Sequence, residues 1–121
     1  MRVLLATAEL RPLVSAGGLG EATAGRAAAL SELGIDVITA IPGYSSYPLD
    51  DEEHGDLPVP EWAAPASVRL GTHPEAGRLA VIDVPGIERP DPYVDERGEG
   101  WADNDARFAA FSVAVASLSR V

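Results

Sequence analysis

The chain contains no cysteine and no lysine, and only one methionine; its nine basic residues are all arginine. Without cysteine there is no disulfide framework, no thiolate zinc site and no sulfur nucleophile. Without lysine there is no Schiff-base amine and no Walker-type phosphate loop. Positive charge is scarce. Nineteen Asp and Glu stand against the nine arginines, a formal charge of −10. That balance excludes the basic surface that nucleic acid or an anionic membrane requires. Long apolar runs are also missing, so no transmembrane helix is expected. The opening segment MRVLLATAELRP has a short apolar stretch that Glu9 and Arg11 interrupt, unlike a secretion signal. A mature cytoplasmic protein is the expectation, and the absent thiols agree with a reducing compartment.

What is present suits one globular domain. The 121 residues are 46% hydrophobic and 23% charged, a composition that can bury a core and does not predict disorder. Val3 to Ala8 is a continuous apolar run and reads as a strand buried on both faces. A loop with Pro12 leads to Gly17-Gly18-Leu19-Gly20 and then to a helical stretch ending near Leu33. Its expected apolar face is Leu19, Thr23, Ala27, Leu30 and Leu33. Gly34 is placed as a left-handed stop. Ile35 to Ile41 reads as a second buried strand closed by Pro42-Gly43.

Strand, glycine loop, helix, strand implies a right-handed βαβ unit with the loop at the carboxyl edge of the first strand, where open α/β sheets gather ligands. Residues 42–66 carry six acids and five prolines and read as an irregular solvated excursion. Residues 67–71 and 78–84 flank THPEAG and predict a β-hairpin. After a second loop rich in Pro, Gly and acids, Phe108, Phe111, Val115 and Leu118 recur at helical spacing behind Asp103, Asn104 and Asp105, which suit a helix start.

Consecutive glycines between strand and helix let backbone amides approach an anion at the helix amino terminus. The same glycines also serve a tight turn that binds nothing. The loop is not G-x-G-x-x-G, because Thr23 fills the third position, and no acid ends the second strand; a dinucleotide site is weakly supported. Asp103, Asn104, Arg107 and Phe108 read better as a cap, a loop-bridging arginine and core than as a site. Trp101 reads as packing its own loop more readily than stacking a sugar. His54, in DDEEHGD, could join carboxylates on a metal, but such a charge run is commonly solvated loop, and no metal is assigned. His73 has no partner visible in sequence, and no nucleophile motif is present.

Ser15-Ala16-Gly17-Gly18-Leu19-Gly20-Glu21, preceded by Ala8-Glu9 and Pro12, resembles the amino-terminal signature of bacterial glycogen synthases and plant starch synthases, K-T-G-G-L-[GA]-D. Val37 to Tyr44 (VITAIPGY), Val81 to Pro85 (VIDVP) and Arg89 to Ser112 (RPDPYVDERGEGWADNDARFAAFS) resemble three further family segments in the same order. The likeness runs along nearly the whole chain. It implies residues 1–121 as a single, truncated amino-terminal part of a catalytic domain of GT-B type: α/β, Rossmann-like, a mainly parallel sheet with a small hairpin. It implies transfer of glucose from ADP-glucose to an α-1,4-glucan, with UDP-glucose the other donor, and neither metal nor cofactor.

By the same resemblance Gly17 and Gly18 offer amides to the donor diphosphate, and Glu21 stands beside the transferred glucose. Glu9 lies near the acceptor and Tyr93 lines the cleft. Two departures stand out. The family's loop lysine is Ser15 here, and losing one charge-assisted phosphate contact costs about 1.5–3 kcal/mol. Glu21 replaces Asp and adds a methylene. The family's catalytic histidine and second domain, which carries the cationic contacts to the leaving group, have no counterpart in the sequence. The expectation is therefore a chain inactive by itself, with a non-catalytic sugar- or nucleotide-binding module as the alternative reading and an unrelated flavodoxin-like nucleotide binder as a third. A half domain would leave a sheet edge open, which predicts a homodimer or aggregation.

Overall fold

The computed structural model describes residues 1–120. Five strands, β1 (Arg2–Ala6), β2 (Asp36–Pro42), β3 (Asp50–Leu57), β4 (Ala66–His73) and β5 (Gly77–Asp83), form one sheet in the order β1-β2-β5-β4-β3. β1, β2 and β5 run parallel, and β4 pairs antiparallel with both β5 and β3. Four strands therefore share one direction and β4 opposes them. The hairpin and the β1–helix–β2 unit stand where the sequence places them.

The helices α1 (Gly18–Glu32) and α2 (Asn104–Leu118) serve two separate cores. Alternation along the strands sends Ala40, Val68, Ala80 and Ile82 to the side of Phe111 and Ala114 of α2. Ile41, Leu79 and Val81 face the other way, toward Leu10 and Ala24 of the α1 side. Ala40, Ile41, Ala80, Val81 and Ile82 are fully buried, so the centre of the molecule is the β2–β5 pair. Asp36 at the start of β2 takes Arg2 at 2.9 Å and Arg78 at 2.8 Å, tying the entrances of β1, β2 and β5. Gly34, at φ +82°, ends α1 as placed. Its amide reaches Ser31 O at 3.0 Å and that of Ile35 reaches Leu30 O at 3.1 Å, a Schellman closure.

Four expectations need correction. Residues 50–57 are not irregular: they form β3, exposed except for Leu57. The acids suit an edge strand with both faces in water, and pairing to β4 supplies the order that periodicity could not reveal. β1 is not buried on both faces. It is the other edge of the sheet and only half-buried. On α1 the ends of the proposed face are wrong, since Leu19 and Leu33 are exposed. The helix turns Gly20 and Thr23 inward, with Ala24, Ala27 and Leu30 half-buried. So many alanines leave too little contrast for spacing to locate a face. At α2, no side chain caps the helix start; Asp103 instead holds Arg89 at 2.9 Å.

Candidate functional site

β1 releases the chain at its carboxyl end into Thr7-Ala8-Glu9. The Thr7 hydroxyl donates to Glu9 O at 2.8 Å and lies 3.2 Å from the Thr23 hydroxyl on α1, so strand and helix are pinned at this corner. Leu10 and Val14 then pair their backbones across a tight turn. The turn delivers Ser15 to Gly17 directly ahead of α1. Gly20 permits the close approach: a Cβ there would stand 2.9 Å from Ser15 Oγ and 3.1 Å from Val14 O. Around Gly17 and Gly18 a Cβ would meet nothing within 4 Å. The loop is thus open to solvent, and no side chain caps the first turn of α1. The space and the helix dipole together suit an anion.

Glu9 is the centre of this corner. It is 5% exposed, and both carboxylate oxygens are engaged. Oε1 accepts the amides of Ala16 at 2.7 Å and Gly17 at 3.0 Å. Oε2 accepts the Tyr93 hydroxyl at 2.7 Å across 84 residues of sequence. Burial pushes the Glu9 carboxyl upward, but the bonds from Tyr93, Ala16 and Gly17 outweigh it and hold the group below its ordinary range. Burial first, and then the neighbouring Glu9 carboxylate, push the Tyr93 hydroxyl up, so it remains protonated as the donor. The Tyr44 hydroxyl donates to Ala8 O at 2.9 Å and steadies the same turn from β2's side.

Tyr93 is fixed at its backbone on both sides. Its amide donates to Asp91 Oδ1 at 2.9 Å, and its carbonyl accepts Asn104 Nδ2 at 2.9 Å and the Trp101 amide at 3.1 Å. Behind it lies Arg107 of α2, 1% exposed. The guanidinium donates to the carbonyls of Gly86, Ile87 and Pro92 at 2.9–3.0 Å and to Asn104 Oδ1 at 2.8 Å. Burial, followed by the nearby Arg89, lowers the Arg107 pKa. Among the described residues no carboxylate touches it; carbonyl oxygens satisfy the planar fork instead. The loop-bridging reading of this arginine is correct. Trp101 also belongs to the frame. Its ring nitrogen donates to Asp91 O at 3.0 Å and Arg89 lies over its ring at 5.0 Å.

The structure therefore brings Glu9, Gly17, Gly18 and Tyr93 to one corner at the carboxyl edge of β1. Glu21 lies exposed on the first turn of α1. Gly17 gives its amide to Glu9, leaving Gly18 as the first residue of the open helix start. Thr7 and Tyr44 escaped the sequence reading as parts of this corner, and Asn104, read there as a helix cap, joins it by holding the Tyr93 carbonyl, since only the fold shows which polar groups meet. His54 pairs with Glu52, and among the described residues no three His, Asp or Glu side chains converge as metal ligands. His73 does have partners: its Nδ1 accepts the Glu75 and Ala76 amides in the hairpin turn.

Known proteins resemble this chain along nearly its whole length. The family model for the starch synthase catalytic domain matches residues 2–121. A glycogen synthase of Ralstonia nicotianae is 38% identical over 128 residues, covering 98% of this chain and 23% of that protein. One from Acidiphilium cryptum is 39% identical over 126 residues, covering 99% and 26%. Among solved structures, the catalytic domain of starch synthase IV from Arabidopsis thaliana, bound to ADP and acarbose, superposes with a TM-score of 0.73 at 26% identity, covering 97% of this chain and 24% of that one. The chain thus spans about a quarter of the length of the relatives it matches. With an open glycine loop clasped by Glu9 at the edge of a mostly parallel GT-B-type sheet, and with that match along its length, the chain belongs to the glycogen and starch synthase family of glucosyltransferases.

Proposed function

We propose that this chain forms the donor-phosphate side of a glucosyltransferase that moves glucose from ADP-glucose to an α-1,4-glucan. The observation that carries the reading is the uncapped start of α1 behind Gly17 and Gly18, open to solvent at the carboxyl edge of a parallel strand. Backbone amides and the helix dipole there favour a diphosphate without a lysine. The related starch synthase IV was solved with ADP and acarbose, which supports an adenine nucleotide and a glucan over UDP-glucose. Glu21, exposed on the first turn of α1, is the residue assigned to the sugar by the family resemblance.

By themselves, residues 1–121 act as one domain that binds without turning over, because a departing diphosphate needs cationic contacts that a glycine loop with Ser15 and no lysine does not offer. The molecule works in the cytoplasm and needs no metal or cofactor. It uses neither nucleic acid nor membrane, and among the described residues no helix is long and apolar enough to cross a bilayer. A second copy of the chain pairs along the open edge of β1. Calorimetry tests the binding claim: ADP-glucose is expected to give a saturable signal and maltooligosaccharide a weaker one. No heat with either would remove it. Radiolabelled ADP-glucose with glycogen should give no incorporation, and light scattering should show a dimer. The alternative, a sugar- or nucleotide-binding module without transfer, is favoured by Ser15, which leaves the loop without a charged phosphate contact.

A further inference from the structure

The resemblance to the family places Glu9 and Tyr93 against substrate, yet their polar atoms are turned toward the protein. Both Glu9 oxygens are occupied by Ala16, Gly17 and Tyr93, and the residue is nearly inaccessible. We propose that Glu9 and Tyr93 are positioning residues, the last two links of a brace that runs from Arg107 on α2 across the sheet edge to the glycine loop on α1. Arg107 clamps the carbonyls of Gly86, Ile87 and Pro92 while Asn104 and Trp101 hold the Tyr93 carbonyl. With its backbone fixed and its ring packed 5.9 Å from that of Phe108, Tyr93 gives its hydroxyl to Glu9. Glu9 then takes the last two amides before the helix, which orients Gly17 and leaves the following turn facing outward.

α1 and α2 lie on opposite faces of the sheet and share no core cluster. The brace is the polar route by which one sets the pose of the other. In its ligand role the inference rests on the nucleotide-sugar reading above; the brace itself can be tested without it.

Amide hydrogen exchange on the full chain is the decisive measurement. In Tyr93→Phe, Ala16 and Gly17 should exchange about tenfold faster or more, the scale of a lost bond to a charged group. The strand amides of Ala40 and Val81 should keep their wild-type rates. The Glu9 carboxyl, followed by carbon NMR, should titrate at higher pH once its donor is gone. Glu9→Gln, which keeps a carbonyl acceptor, should retain more protection at Ala16 and Gly17 than Glu9→Ala. Arg107→Lys cannot fork to four acceptors and should reproduce the Tyr93→Phe pattern. If it fails to fold, Tyr93→Phe still decides. Unchanged exchange at Ala16 and Gly17 in Tyr93→Phe would overturn the proposal. A severalfold weaker response to ADP with no change at those amides would also overturn it, by making Tyr93 a direct contact. If ADP leaves the wild-type spectrum unmoved, the nucleotide reading fails alone, and the exchange rates still judge the brace.

Discussion

Glu9 shows how a single carboxylate can be more valuable to a loop than to a ligand. A buried acid is costly unless its oxygens are satisfied, and here three donors satisfy them. The pH dependence follows from the depressed folded pKa. The charged form is favoured by folding, so its stabilisation is fully present above the unfolded value of about 4.3 and is lost as pH falls through the lower folded value. Glu9→Gln should therefore cost about 1–2 kcal/mol at pH 7. That cost should shrink steadily in urea titrations taken from pH 5 downward. A gap between variant and wild type that holds constant to acid pH would show that the charge of Glu9 contributes nothing. Asp91, whose carboxyl is held low by the Val94 and Tyr93 amides, adds to the same acid sensitivity of the corner.

The first turn of α1 and its middle make opposite demands on glycine. At Gly20 an added methyl would press on Val14 O, a carbonyl already held at 2.9 Å by the Leu10 amide, and so unable to yield freely. Gly20→Ala should destabilise by about 1–2 kcal/mol despite the better helix propensity of alanine. At Gly25, a Cβ would meet nothing within 4 Å. Gly25→Ala should stabilise by about 0.5–1 kcal/mol, because only the propensity term changes. Thermal unfolding of the pair measures both. Equal effects of the same sign would show that the approach of the loop to α1 is loose.

Across the whole molecule the dominant electrostatic fact is self-repulsion. The formal charge is −10, and the exposed face of β3 concentrates Asp50, Asp51, Glu52, Glu53 and Asp56. Among the described residues four arginine–carboxylate pairs lie at or near the surface, and such pairs contribute only about 0–1 kcal/mol each. Repulsion should outweigh them. Raising NaCl from about 0.01 M to 0.15 M shortens the screening length from about 30 Å to about 8 Å, and the melting temperature should rise. A fall would mean that the pairs at Asp36 and Asp83 contribute more than the acidic edge removes.

Much of this arrangement is legible along the chain because it depends on neighbours in sequence. The order of strand, glycine loop, helix and strand, the stop at Gly34 and the hairpin around THPEAG are local conformational preferences. The family signature in Ser15 to Glu21 is a contiguous string. The acidic segment 50–57 misleads because an edge strand with both faces in water has no hydrophobic period to display. The alanine-rich α1 conceals its inward face for a related reason. The corner itself could only be decided in three dimensions. Sequence alone supplies Glu9, Tyr93 and Arg107 as chemical types at distant positions. Chain folding brings residues 9, 16–17 and 93 within hydrogen-bonding reach, with Arg107 on the neighbouring Pro92 carbonyl, and burial then compels each polar atom to find a partner. That requirement turns Glu9 from a free acid into the clasp of the glycine loop.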